Sequence, residues 1–544
     1  MRVKRFAAAV ALPVAAMMLI AGCGGSSSDS SGGSSDPNAA ISIQGTQPEN
    51  PLVPANTNEE GGSIPLDVMF TGLVSYDTDT SDLKMEIAES ITTTDAQHYD
   101  IKLKDGYTFH DGTPVDAKSF VDAWNWAAYA PNAALNASFF EQVKGYQDVN
   151  PTPPAGSTDA PAPTAKTMSG LTVVSPTEIK VELVAPYSPF KQKLGYHVFA
   201  PLPQSFYADP VAFGRNPVGN GPFKFVAWND NTDIKITRWD DYKGEKPQVK
   251  DVTIKLYQSS EAAYADLVSG NLDFQQLLPP SALAGEKYQS DLMDRTLDKD
   301  APRLTTVSLP MYDQRFANAD LRKAISMSIN REQIAKVIFN DTYVPSTSFS
   351  SPAITGYEAD TCGEACTYDP AKAKDLLAKA GGFSGPLTLT YNSDGGHKDW
   401  SEAVCNSIKS SIGIDCVATP TPTFSVLRQS INAKQMSGLF RSAWSYDFPN
   451  LENGLSPLYS TTGSANDSKY SNPEFDAALL KAAAISDPAE SNKAFIEAEK
   501  MLAADLPAIP LWSVTQKAGY SERLSNAKLS YTLELDLTQV RVNS

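Results

Sequence analysis

Five cysteines and four histidines are the side chains of this 544-residue chain best suited to covalent or metal chemistry, and their placement supports little of either. None of His98, His110, His197 and His397 is followed by Glu, so there is no H-E-x-x-H zinc helix. No Gly-Lys dipeptide occurs, which excludes a phosphate-cradling P-loop, and no G-x-S-x-G elbow in the body presents a serine nucleophile. Carboxylates number 63, so coincidental pairs must arise, and no spacing among them marks an acid and its base. Cys362 and Cys366 form a C-x3-C without a neighbouring His, a poor zinc site. Triads can converge from distant positions. Even so, these absences argue against an enzyme, and neither a cofactor nor a metal is expected.

Cys23 stands in a different setting. Arg2, Lys4 and Arg5 precede an apolar run from Phe6 to Ile20, which is too short and too closely followed by small residues for a stable membrane span. The run ends in Leu19-Ile20-Ala21-Gly22-Cys23, which resembles a bacterial lipobox. Residues 1–22 are therefore expected to be a signal peptide cleaved before Cys23, leaving a terminal thiol to be acylated. Gly24 to Ser35 is Gly and Ser broken only by Asp29, and Asp36-Pro37-Asn38 closes it. Residues 23–38 thus read as a lipidated cysteine and a flexible tether, with a coil span of roughly 20 Å. The expected location is extracytoplasmic, on the outer face of the cell membrane.

Cleavage there leaves 522 residues, ample for two or three domains, and removes three basic residues, taking the net charge from −18 to −21. Such acidity excludes nucleic acid as a partner, because phosphate binding needs clustered Lys and Arg. It suits a self-repelling, monomeric surface. Four cysteines then remain, and in an exported chain an even count favours disulfides. Three pairings are possible; the local ones, Cys362–Cys366 and Cys405–Cys416, are expected because nearby thiols oxidise first.

The elements that must position any site alternate between strands and helices. Tyr99, Ile101 and Leu103 alternate with polar residues and lead into an Asp105-Gly106 turn. Asp116 caps a helix with Phe120, Val121, Trp124 and Ala128 on one face. Residues 171–184 read as a hairpin folded at Ser175-Pro176-Thr177, and residues 151–165 as an exposed Pro-rich loop. Ser260 is expected to cap a helix to Val268, Asp320 to start another, and Asn330 with Gln333 to cap the next. Asp369 and Pro370 open a helix that Gly381 and Gly382 end. Asp399 to Ile412 is helical by pattern, and Gly413 releases it into a strand at Ile414 to Val417. Interleaving of this kind means an α/β or α+β protein.

Several segments in one order carry a more specific resemblance. Asn216-Pro217-Val218-Gly219-Asn220-Gly221-Pro222-Phe223-Lys224-Phe225 followed by Arg238-Trp239-Asp240-Asp241-Tyr242 resembles the oligopeptide- and dipeptide-binding proteins of ABC importers, the family 5 type of bacterial extracellular solute-binding proteins. So do Leu103-Lys104-Asp105-Gly106 through Trp124, Asn318 to Arg331, and Gly270-Asn271-Leu272-Asp273-Phe274. The resemblance implies an α/β, two-lobe, periplasmic-binding-protein-like fold with an inserted third subdomain and a two-strand hinge. Lobe I would take residues 39–75, 215–306 and 514–544, its inserted subdomain 76–214, and lobe II 307–513. It also implies capture of short peptides between the lobes and delivery to the importer's membrane and ATPase subunits. The same fold could instead take a sugar, a metal chelate, an opine or a signalling peptide, since fold does not fix function.

The family's site residues carry over onto Arg441-Ser442-Ala443-Trp444-Ser445-Tyr446-Asp447-Phe448-Pro449. A peptide offers an ammonium, a row of amides and a carboxylate. By resemblance Asp447, three residues after Trp444, meets the ammonium; Arg441, whose fork suits a carboxylate, meets the other end; and Trp444 walls the ligand. Asn392 and His397 lie in a segment resembling the family's cleft-lining strand and loop, where Gly395-Gly396 replaces a bulkier spacer. Phe424 and Trp512 match cleft aromatics. The plain alternatives are a turn carboxylate before Pro449, a surface arginine, and core aromatics.

Overall fold

A computed structural model describes residues 35–153, 160–393, 396–422 and 424–543. The expected signal peptide, Cys23, the tether as far as residue 34, residues 154–159 of the Pro-rich loop, and Asp394-Gly395 lie outside the described residues.

The chain builds one eleven-stranded sheet around two long strands, Thr296–Ser308 and Ala508–Tyr520. These two pair antiparallel over almost their whole length, with a register break between Asp300 and Leu304. On one flank Phe274–Gln275 pairs the far end of Ala508–Tyr520, and Ala40–Gly45, Asp251–Leu256, Asp233–Arg238 and Phe223–Asn229 follow outward. On the other flank Leu439–Ser445 pairs Arg303 to Ser308, and Leu387–Asn392 and Cys416–Thr421 continue to the edge. The short strand Tyr343–Pro345 pairs Ala508–Tyr520 beside them. A separate antiparallel sheet runs in the order Ala88–Thr92, His98–Leu103, Glu178–Glu182, Leu171–Ser175.

Local chemistry explains most boundaries. Asp116 and Ser119 form a reciprocal capping box for the helix Ala117–Ala128, which buries Phe120, Val121 and Trp124. The hairpin turns between Ser175 and Glu178 as expected. Asn330 accepts from the Gln333 N–H and Asp369 from the Lys372 N–H, each opening its helix. Gly413, at φ 76°, ends Lys398–Ile412 in the left-handed region. Two expectations shift. The cap before Ser260–Val268 is Ser259, whose extended backbone lets its hydroxyl accept from the Ala262 N–H, while Ser260 is already helical. The strand expected at Ile414 to Val417 is Cys416–Thr421, because pairing with Leu387–Asn392, rather than residue preference, sets its limits. It is the sheet edge, which tolerates Pro420.

Both local disulfides are present, Cys362–Cys366 and Cys405–Cys416, the second joining a helix to the neighbouring strand. Two buried charges hold the second flank. Glu499, fully buried, accepts from the hydroxyls of Ser348, Ser350 and Thr361 and from the Phe349 N–H at 2.5–3.1 Å. Arg331, also buried, donates to the carbonyls of Pro510, Ser326 and Cys366 and to the Ser326 hydroxyl. Burial without a carboxylate partner among the described residues pulls its pKa down to about 9. Arg331→Met keeps an apolar stem but strands those oxygens. It is expected to lower the unfolding free energy by at least about 3 kcal/mol, read as an earlier urea midpoint at unchanged slope.

Candidate ligand-binding site

The strand Leu439–Ser445 carries two of the expected site residues, and the chain reaches the third two residues beyond its end. Its parallel pairing with Leu387–Asn392, in the register Thr390 with Phe440, brings Asn392 beside Arg441. Arg441 Nε donates to Asn392 Oδ1 at 2.8 Å, and the guanidinium lies 4.8 Å from the centre of the Phe424 ring. Arg441, Asn392 and Phe424 therefore form one cluster, with the guanidinium oriented by a buried amide and an aromatic face.

Asp447 is fixed by a residue the sequence reading missed. Asn450 caps the helix Leu451–Tyr459, and its first turn presents Asn453, which is buried. Asn453 Oδ1 accepts from the Asp447 N–H at 3.0 Å and from Trp444 Nε1 at 3.3 Å, while its Nδ2 donates to Asp447 Oδ2 at 3.2 Å. One side chain thus sets both the acid and the indole. Trp444 also borders a small recess whose other walls include Thr306, Ser308, Ser442 and Asp467.

The wall facing Asp447 comes from distant parts of the chain. Burial pushes the Asp447 carboxyl above its ordinary range, and the Asn453 hydrogen bond, Lys193 and His197 pull it partly back. Its charge in turn helps raise Tyr76, Tyr196 and Tyr531, whose hydroxyls burial already holds neutral. The Tyr531 hydroxyl donates to the Tyr446 carbonyl, and the rings of Tyr76 and Tyr531 meet at 5.3 Å. Neither of these two neighbours is devoted to Asp447. Lys193 Nζ donates to Gln142 Oε1, and His197 Nδ1 lies 2.8 Å from Asp67 Oδ1. Beside them the Tyr187 hydroxyl donates to Glu452 Oε2 at 2.7 Å, next to Asn453 in the chain.

One expected residue lies in the core, and another stands at the start of a helix. Trp512 is fully buried and packs on Phe339, Tyr343 and Trp400, so it belongs to the core beneath the sheet and not to the cleft surface. His397 precedes the helix Lys398–Ile412, and its Nδ1 accepts from Trp400 Nε1 at 3.2 Å. Asn453, Lys193 and Tyr196 gave no signal in sequence, and His197 appeared there only as one of four histidines without a zinc motif. Among the described residues no group of three or more His, Cys, Asp or Glu is placed to hold a metal ion. No described helix is long and apolar enough to cross a membrane.

Known proteins share this architecture. Residues 82–466 match the family described as bacterial extracellular solute-binding proteins, family 5 Middle. The chain is 24% identical over 501 residues to the oligopeptide-binding protein OppA of Bacillus subtilis (strain 168), covering 88% of each. It is 25% identical over 490 residues to the glutathione-binding protein GsiB of Escherichia coli O6:K15:H31, covering 87% of this chain and 89% of that one. Among solved structures, Haemophilus influenzae OppA in complex with RPPGFSPFR superposes with a TM-score of 0.71 at 22% identity, over 94% of this chain and 100% of the other. The fold is accordingly the two-lobe α/β fold of these proteins, and this chain belongs to the family 5 bacterial extracellular solute-binding proteins.

Proposed function

We propose that the protein captures short peptides between its lobes, without transforming them, and hands them to the membrane and ATPase subunits of an ABC importer. In this reading lobe I takes residues 39–75, 215–306 and 514–544, with 76–214 inserted, and lobe II takes 307–513. The observation that carries it is the Asp447 carboxyl, locked by Asn453 and short of a counter-ion, where Tyr76, Lys193 and His197 approach from the other side. A peptide ammonium supplies the missing charge. Arg441, pre-oriented by Asn392, is the group for a carboxylate, and Trp444 bounds the space between. Relatives named for oligopeptides and glutathione support peptides as the cargo class. Main-chain pairing with strand edges gives affinity without strict sequence preference.

Asp447→Asn is expected to weaken binding of a free-amine peptide at least about tenfold, a loss of 1.4 kcal/mol. Because the folded-state pKa is raised, the ionised carboxyl costs stability at neutral pH, so the same variant is expected to melt no earlier than the wild type. Calorimetry and thermal unfolding read the two effects. An N-acetylated peptide that binds as tightly as its free-amine parent would overturn the ammonium role and favour a non-peptide cargo.

Binding needs Asp447 ionised, so affinity is expected to fall as pH drops through its raised pKa, above the range of an ordinary aspartate. At the other end it falls as the peptide α-amino group, about 8 when free, loses its proton. Titration calorimetry across pH reads both limbs, and the acid limb should vanish in Asp447→Asn.

The same proposal places the protein on the outer face of the membrane through lipid on Cys23 and the Gly/Ser tether. Cys23→Ser is expected to move it from the membrane fraction to the soluble fraction. Unchanged membrane retention would remove the lipid anchor.

A further inference from the structure

Two tyrosine hydroxyls hold the segment that carries Asp447, one on either side of the acid. Before it, the Tyr446 carbonyl accepts from the Tyr531 hydroxyl at 3.2 Å. Beyond it, Glu452 Oε2 accepts from the Tyr187 hydroxyl at 2.7 Å. All four of these residues are buried. Burial holds both phenols neutral, so each keeps a proton to donate. The residue after Glu452 is Asn453, which bonds the main chain and the carboxyl of Asp447. The acid and both tyrosine contacts therefore lie on one short stretch of chain.

The donors are themselves fixed. The Tyr187 N–H donates to the Ala96 carbonyl at 2.7 Å, and its own carbonyl accepts from the Tyr99 hydroxyl at 2.9 Å. Its side chain reaches from there to the helix Leu451–Tyr459. Ser188 follows it across. Its N–H donates to the Ala483 carbonyl at 2.7 Å, and its hydroxyl lies 3.2 Å from that of Ser491. The Tyr531 ring packs edge-on against Tyr76.

On the lobe assignment proposed above, Tyr187 and Ser188 belong to the subdomain inserted in lobe I and Tyr531 to lobe I itself. Tyr446, Glu452, Ala483 and Ser491 belong to lobe II. The lobes then cannot part without breaking these bonds. A contact made only when a cleft is shut does not help the ligand arrive; it slows reopening and so delays escape. Buried donors and acceptors are costly to leave unmade, which ties the bonds to full closure. Resting on the peptide reading above, we propose that Tyr187 and Tyr531 are positioning residues for retention: their hydroxyls clamp the Asp447 segment when the lobes close and set how long a peptide stays.

The test is surface plasmon resonance on the whole folded protein, with trialanine, tetraalanine and pentaalanine as probes. Tyr187→Phe and Tyr531→Phe are each expected to release the bound peptide at least about fivefold faster, with association within about twofold of the wild type. The affinity lost on N-acetylating the probe should be the same in all three proteins, because Asp447 and Asn453 are untouched. Glu452→Gln keeps an oxygen for Tyr187 and should release peptide at the wild-type rate. Glu452→Leu should match Tyr187→Phe and add nothing to it in the double variant. Unchanged release in both tyrosine variants, or weakening confined to association, overturns the clamp and leaves peptide capture standing. Amide hydrogen exchange of the unliganded protein reads the clamp without any peptide: the Tyr446 and Asp447 N–H groups should exchange faster in both variants. Exchange at the wild-type rate overturns the clamp. If none of the probes binds, peptide capture fails, and the exchange rates alone decide the clamp.

Discussion

A carboxyl withdrawn from water must find a positive charge, enough donors, or a proton, and Asp447 is given too little of the first two. Asn453 supplies one donor to its oxygens, and the neighbouring Lys193 and His197 are tied to Gln142 and Asp67. Much of the surrounding structure serves to maintain that deficit. The strand Leu439–Ser445 leads to the acid, the Asn450 cap sets the helix that holds Asn453, and three tyrosines in its electrostatic reach have hydroxyls too deeply buried to ionise. What the cleft leaves unfinished defines what it can hold.

The same molecule shows how charges are buried when no ligand is wanted. Glu499 takes three hydroxyls and a main-chain N–H, and Arg331 spends its fork on carbonyls and a hydroxyl. Both are saturated by neutral partners and brace the scaffold. Asp447, raised by its own burial, has far fewer donors. The contrast between a saturated and a starved carboxyl distinguishes Glu499 from Asp447.

Much of this was readable in the sequence because it is local. Asp116, Asn330, Asp369 and Gly413 mark helix ends through bonds to their own neighbours, and the hairpin at Ser175 to Glu178 closes on itself. The family segments gave the fold class, and the motif from Arg441 to Pro449 marked the acid, while its strand appeared only in the structure. Other features depend on contacts that no window contains. Trp512 alternates on its strand as a cleft aromatic would, and only the packing of Phe339 and Trp400 shows that it faces inward. Asn453 resembles any helix asparagine until Trp444 and Asp447 converge on it.

The register break between Asp300 and Leu304 has a mechanical meaning. Over that gap Ala301, Pro302 and Arg303 exchange no ladder bonds with Ala508–Tyr520, and Pro302 has no N–H to offer. The carbonyls of Ala301 and Pro302 are instead taken by the Ser351 hydroxyl and the Tyr446 N–H. Torsion of one lobe against the other can concentrate in these few peptide units without breaking the ladders on either side. Tyr446 precedes Asp447, so the flexure point is itself tethered to the segment that carries this acid, and twist there is transmitted to the acid's position.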